Sequence, residues 1–177
     1  MPKNVKHYIL TAVILGSIAM VGGALIGVAN LITKDKIAKN EENKINVGIA
    51  DLFGENTTRS EQINIIGNDK YLDYYYKVNA NDALVGYAFR VTGRNAYGKI
   101  SMLVGINTSY NVGRIYLITN EQTYAQTLVD NYVTPYNNGT TSLDDVYCGA
   151  TYGAKLVRDM ANEAATWANS NLKGGNA

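Results

Sequence analysis

From Tyr8 to Thr33 the chain carries no charged residue, reading YILTAVILGSIAMVGGALIGVANLIT. A helix needs about 20 mostly apolar residues to cross a bilayer, so the run predicts one membrane-spanning helix in contact with lipid. A cleaved signal peptide has a shorter apolar core, about 7–15 residues, ending at a small-x-small site. This run is longer and has no convincing Ala-x-Ala site, so the expectation is an uncleaved anchor.

Within the run, Ala19, Gly23 and Gly27 are spaced four apart. Small residues at that spacing share a helix face and let a second helix approach closely, which predicts a partner in the membrane. Flanking charge does not fix the orientation. Lys3 and Lys6 precede the helix, while Lys34, Lys36, Lys39 and Lys44 follow, mixed with Asp35, Glu41 and Glu42. A bare count puts the C-terminal side in the cytoplasm, but long domains translocate largely regardless of such charges.

Past the run, residues 34–53 are polar and helix-favouring, with Ile45, Ile49 and Leu52 or Phe53 as a short apolar stripe at helical spacing. Residues 54–70 read as loop. From 71 to 119 the period becomes two: Val85, Tyr87, Phe89 and Val91 alternate, as do Ile100, Met102, Val104 and Ile106, and Ile115 and Leu117 follow. The stretches NAND, GRNAYG and NTSYNVG separate these runs. Alternation broken by such turns predicts antiparallel hairpins. Near the C-terminus Leu156, Val157, Met160, Ala161, Ala164 and Trp167 recur at steps of three and four, predicting an amphipathic helix that covers one face of the sheet and ends before KGGNA. Strands followed by a packing helix give an α+β domain. The expected organisation is a cytoplasmic tip and membrane helix over 1–33, a helical stalk and linker over 34–60, and a folded domain over 61–177.

Composition narrows the chemistry. The net charge is +1, so there is no basic field for nucleic acid. Cys148 is the single cysteine and His7 the single histidine. That excludes an internal disulfide, a histidine-based triad and a zinc site of the usual ligands. Redox chemistry here would need a cofactor held by neither thiolates nor imidazoles, and no metal site is expected.

One short stretch concentrates unusual residues: DDVYCGATYGAKLV, 144–157. A phosphate-binding P-loop does not fit, because Gly149 and Gly153 are too close together and Leu156 follows Lys155 where Ser or Thr is required. Cys148 as a nucleophile lacks a base, and reads first as a small packed thiol. The plainest reading is a helix start with Thr151 as N-cap and Gly149 in a conformation favoured by glycine. A helix N-terminus also favours a phosphate, and Lys155 and Arg158 in the first turns add charge. The Thr151 hydroxyl could touch a phosphate or be esterified by one.

The string DVYCGAT resembles the flavinylation motif of the FMN-binding domain family: Asp, two variable residues, Ser or Thr, then Gly-Ala-Thr. In that family a flavin transferase joins FMN through its phosphate to the threonine, and Thr151 is the matching residue. Asp145 matches the motif aspartate, which the resemblance assigns to transferase recognition, and Gly149 and Ala150 match the close-packed pair. Cys148 stands where Ser or Thr is usual, and Gly153 where the family often has Thr or Ser. Residues 97–128 are similar to the family's sheet segment, with Thr123 matching the threonine of a Glu-Thr-Pro-Gly-like loop and Tyr124 replacing its proline.

A single membrane helix before such a domain is similar to the G component of the Rnf complex, and to the FMN-bearing component of the sodium-translocating NADH:quinone reductase that shares this layout. The resemblance implies covalent FMN, an electron-transfer role, other membrane subunits as partners, and a domain outside the cytoplasm. It also implies that Cys148, Gly149, Ala150, Lys155, Thr123 and Tyr124 lie around the cofactor, with Tyr124 or Tyr97 near its ring. A stand-alone extracellular FMN carrier would share these residues. A pilin-like structural module would not, and it normally carries a Glu early in its apolar helix, which is absent between Tyr8 and Thr33.

Overall fold

A computed structural model describes residues 3–67 and 69–173. The first element is one long helix, α1 (Lys3–Phe53). The chain divides into two compact units, Met1–Asn43 and Lys44–Ala177.

In the first unit, Val5–Val28 is long and apolar enough to cross a membrane. Its 24 residues rise about 36 Å, against roughly 30 Å of hydrocarbon. Leu10, Val13, Leu25 and Ile26 are all exposed, as lipid-facing side chains are. A side chain built at Gly23 or Gly27 meets no atom within 4 Å, so the small-residue face is open. One N-terminal apolar helix of this kind fits a single-pass membrane protein.

The second unit is an α+β domain. Its strands are β1 (Thr57–Arg59), β2 (Ile63–Asn64), β3 (Leu72–Ala80), β4 (Ala83–Asn95), β5 (Gly98–Asn107) and β6 (Val112–Asn120). They form one antiparallel sheet in the order β1-β3-β4-β5-β6, with β2 also paired to β3. A helical stretch follows: α2 (Ala125–Leu128), a π turn over Val129–Val133, and α3 (Thr134–Asn137). The last helix is α4 (Thr151–Asn171). The strands β1 and β2 fall in the region expected to be loop. Each is only two or three residues long, too short to show a period of two.

Alternation along β4 and β5 sorts side chains to two faces. Tyr87, Phe89, Val91, Ile100, Met102, Val104 and Ile106 join Leu156, Val157, Met160, Ala161 and Ala164 of α4 in the larger core cluster. The intervening Ala88 and Leu103 join Ile45 and Ile49 of α1 in a second cluster. The sheet is therefore covered on both faces, by α4 on one and by the last turns of α1 on the other. Gly48 makes the second contact close, since a Cβ there would collide with Tyr116 and Leu103 side chains. Burying Ile45 and Ile49 to 5% and 3% exposure contributes about 1.5–3 kcal/mol each.

Val85 departs from the expected row. It packs with the second cluster rather than with Phe89 and Val91. The reason is a register shift: Val78 pairs with Gly86 and Asn79 with Leu84, leaving Val85 as the extra residue of a bulge, which re-aims its side chain.

The edge strand β6 is secured by Asn137, whose side-chain amide donates to the Ile115 carbonyl at 2.7 Å and whose oxygen accepts the Ile115 N–H at 2.9 Å. Such pairing satisfies edge groups that could otherwise recruit another strand.

Candidate functional site

The segment before α4 is held at several points. Val146 and Ala150 are buried in the larger cluster. The buried Tyr132 donates its hydroxyl to the Leu143 carbonyl at 2.5 Å, and burial pushes its phenol above the usual range. Asn131 donates its side-chain amide to the Cys148 carbonyl at 3.1 Å. Gly149 has φ +86°, on the side of the map that glycine takes without penalty. This turn delivers the chain into α4.

Thr151 is the first residue of α4, and the N-cap is Ala150, with no side-chain capping hydrogen bond. The expected cap role of Thr151 is thus corrected: the helix begins one residue earlier, because the Ala150 carbonyl already accepts from Ala154 N–H at 3.0 Å. Two consequences follow. The Thr151 hydroxyl is not used for capping, and the N–H groups of residues 151–153 precede the first intrahelical bond.

Thr151 opens onto a cleft of about 290 Å³ lined by Tyr97, Gln122, Tyr124, Gly149, Ala150, Tyr152 and Gly153. Gln122 is buried, and its side-chain amide donates to the Gly98 carbonyl at 2.6 Å and to the Asn95 side-chain oxygen at 3.1 Å. Asn95 also accepts the Tyr97 N–H at 2.8 Å and donates to the Tyr152 carbonyl at 3.1 Å. The β4–β5 turn, the loop after β6 and the start of α4 are therefore linked by two side-chain amides.

Of the residues expected at the site, the structure brings Gly149, Ala150, Thr151, Tyr124 and Tyr97 together around this cleft. Cys148 instead packs, half-buried, against the larger cluster. The side chain of Lys155 lies over the Tyr147 ring, 5.9 Å from its centroid. Thr123 braces the hairpin, its N–H donating to the Tyr97 carbonyl at 3.0 Å. Sequence reasoning misses Tyr152, Gln122 and Asn95. The isolated amides and the variable position after the Gly-Ala-Thr string give no signal until residues distant in sequence come together.

Asp145 is exposed and accepts from the Ser142 N–H at 2.7 Å and hydroxyl at 3.0 Å. These bonds hold its carboxyl below the ordinary range. Since the folded value lies below the unfolded one, the bonds persist at neutral pH and are lost only as pH falls through the depressed value. Asp145→Ala is expected to move the thermal midpoint by no more than about 2 °C, as for other exposed substitutions. A melting curve checks this; a collapsed domain contradicts it.

Residues 1–46 match the family described as the RnfG N-terminal region. The chain resembles the RnfG component of the Rnf complex. A search of curated proteins finds no match. The RnfG match covers the membrane helix and stops before the sheet, whereas the cleft is built from residues 95–153. The resemblance at the N-terminus and the motif at Thr151 therefore rest on separate parts of the chain.

Proposed function

We propose that this chain is the electron-transfer subunit of an Rnf-type membrane ion-translocating oxidoreductase and carries FMN on Thr151 through a phosphoester bond. The observation that carries this reading is the Thr151 hydroxyl, free of any capping bond, at a helix start that opens onto an aromatic-lined cleft.

The residues present fit the group. The free N–H groups and partial positive charge at the start of α4 suit a phosphate. The tyrosines lining the cleft offer flat, partly apolar surface for a ring. At about 290 Å³ the cleft is at the small end of ligand pockets, which run roughly 300–1,000 Å³; it suits part of a flavin nucleotide, with the remainder in solvent or against a partner. Bound there, FMN supplies electron-transfer chemistry, which asks the protein for orientation, electrostatics and a path rather than for a general base. Gly149 and Gly153 let the turn and the first turn of α4 pack closely on α2: an added side chain would meet Thr127 at the first and Leu128 at the second.

The partners implied are the other membrane subunits of such a complex and, during maturation, a flavin transferase that recognises Asp145 and the turn before Thr151. The deciding measurement is the mass of the peptide spanning Cys148–Lys155 from protein purified out of its native membrane. The expected result is an FMN increment on Thr151; an unmodified threonine, or the increment on Cys148, overturns the assignment.

The reading also places residues 45–177 outside the cytoplasm. Asn138 is exposed at the end of α3 and suits a labelling test. Asn138→Cys is expected to react with a membrane-impermeant maleimide in intact cells, after allowance for Cys148. Labelling of Asn138→Cys only after lysis reverses the topology.

A further inference from the structure

Tyr97 and Tyr152 come from positions far apart in the chain, one in the β4–β5 turn and one in the first turn of α4. Their rings nevertheless stack, with centroids 5.1 Å apart and planes 28° from parallel. The pair is not a core contact: Tyr97 is 39% and Tyr152 63% exposed. Both line the cleft that Thr151 opens onto. Asn95 holds the pair in place by accepting from the Tyr97 backbone and donating to the Tyr152 backbone. Gln122 locks Asn95 in turn. A stacked pair fixed by two amides yet left open on one side is a preorganised platform for another flat ring.

We infer that the exposed face of Tyr152 is the seat of the flavin ring system, that Tyr97 backs it as a second layer, and that Asn95 is the residue that positions the two. This deepens the proposed function and rests on the reading that the cleft holds a flavin. Stacked aromatic pairs gain from offset contact between ring faces, and flat heterocycles bind tyrosine faces without hydrogen-bond readout. Tyr124, 56% exposed on the same cleft, makes no stack with either ring and belongs to the cleft wall rather than the seat.

The test uses the full-length chain in detergent with Thr151→Ala as the parent, so that attachment plays no part. Lumiflavin, the ring system without ribityl chain or phosphate, is titrated and its fluorescence followed, because a tyrosine stacked on a flavin quenches its emission. The parent is expected to quench lumiflavin saturably. Adding Tyr152→Leu should weaken binding on the order of tenfold, Tyr97→Leu and Asn95→Ala should weaken it less, and Tyr152→Phe should retain affinity, read by equilibrium dialysis, while losing much of the quenching, because a phenyl ring donates an electron to an excited flavin far less readily than a phenol. Tyr152→Trp, which keeps a larger ring at an exposed helix position, should bind at least as tightly. Absence of quenching by the parent overturns the seat, as does equal affinity in Tyr152→Leu. If Thr151 of the native protein carries no flavin but lumiflavin still binds through Tyr152, the attachment fails and the seat stands. If Thr151 is loaded but Tyr152→Leu changes nothing, the seat fails and the attachment stands.

Discussion

Thr151→Ala is expected to give a chain that folds and reaches the membrane but carries no covalent flavin. The chemical half of this expectation is the larger. An esterified phosphate needs a hydroxyl, and alanine removes the one aliphatic hydroxyl among the residues that line the cleft. Cys148, three residues earlier, packs against the core and is not placed to substitute. Loading should therefore fall to the background of the measurement rather than by a small factor. The structural half is small. An N-cap threonine would contribute on the order of 1 kcal/mol, but Thr151 is the first helical residue and makes no capping bond. Alanine is also the better helix former by a few tenths of a kcal/mol. The melting curve of the unloaded Thr151→Ala chain should match that of unloaded parent. Thr151→Ser separates chemistry from recognition, since it keeps the hydroxyl and loses only the methyl group. Full loss of flavin in Thr151→Ser together with normal folding would mean that the transferase reads the methyl. Retained covalent flavin in Thr151→Ala would end the assignment.

Much of the frame is written plainly in the residues, for physical reasons. The apolar run is legible because a bilayer demands an unbroken stretch of a given length. The α4-facing row of the sheet and the matching stripe of α4 are legible because periods of two and 3.6 are imposed by backbone geometry. The second face is harder. Ile45 and Ile49 form a visible stripe, but a stripe does not name its partner; only the structure shows that it covers Ala88 and Leu103. Thr151 can be found through the string around it, and the cleft beside it cannot. Its walls depend on Asn95, Gln122 and Tyr152, which meet only because the β4–β5 turn and the start of α4 lie against the loop after β6. The bulge at Val85 is likewise invisible, since an extra residue in one strand leaves no mark on composition.

Gly98→Val should be the most damaging single change in the domain outside the large core side chains, and should lower flavin attachment during maturation as it destabilises the fold. Gly98 has φ +139°, a conformation that costs other residues on the order of 1–3 kcal/mol. A Cβ there would also overlap the Glu121 carbonyl, which is backbone and cannot swing aside as a side-chain tip can. That crowding adds roughly another 1–3 kcal/mol. The sum, about 3 kcal/mol or more, corresponds to a fall in melting temperature of about 10 °C for a domain of this size. The same residue supplies the carbonyl that accepts from Gln122 at 2.6 Å, so moving it loosens the amide pair that fixes Tyr97 and Tyr152. Flavin loading should decline in step with the lost stability even at temperatures where most of the chain stays folded. Gly139→Ala is the control. Its φ is also positive, +70°, but nothing lies within 4 Å of the added Cβ, so it bears the conformational cost alone, about 1 kcal/mol. A Gly98→Val melting temperature within about 2 °C of the Gly139→Ala value would show that the hairpin can shift away from Glu121 freely. The rigid platform inferred for the flavin ring would then lose its physical basis.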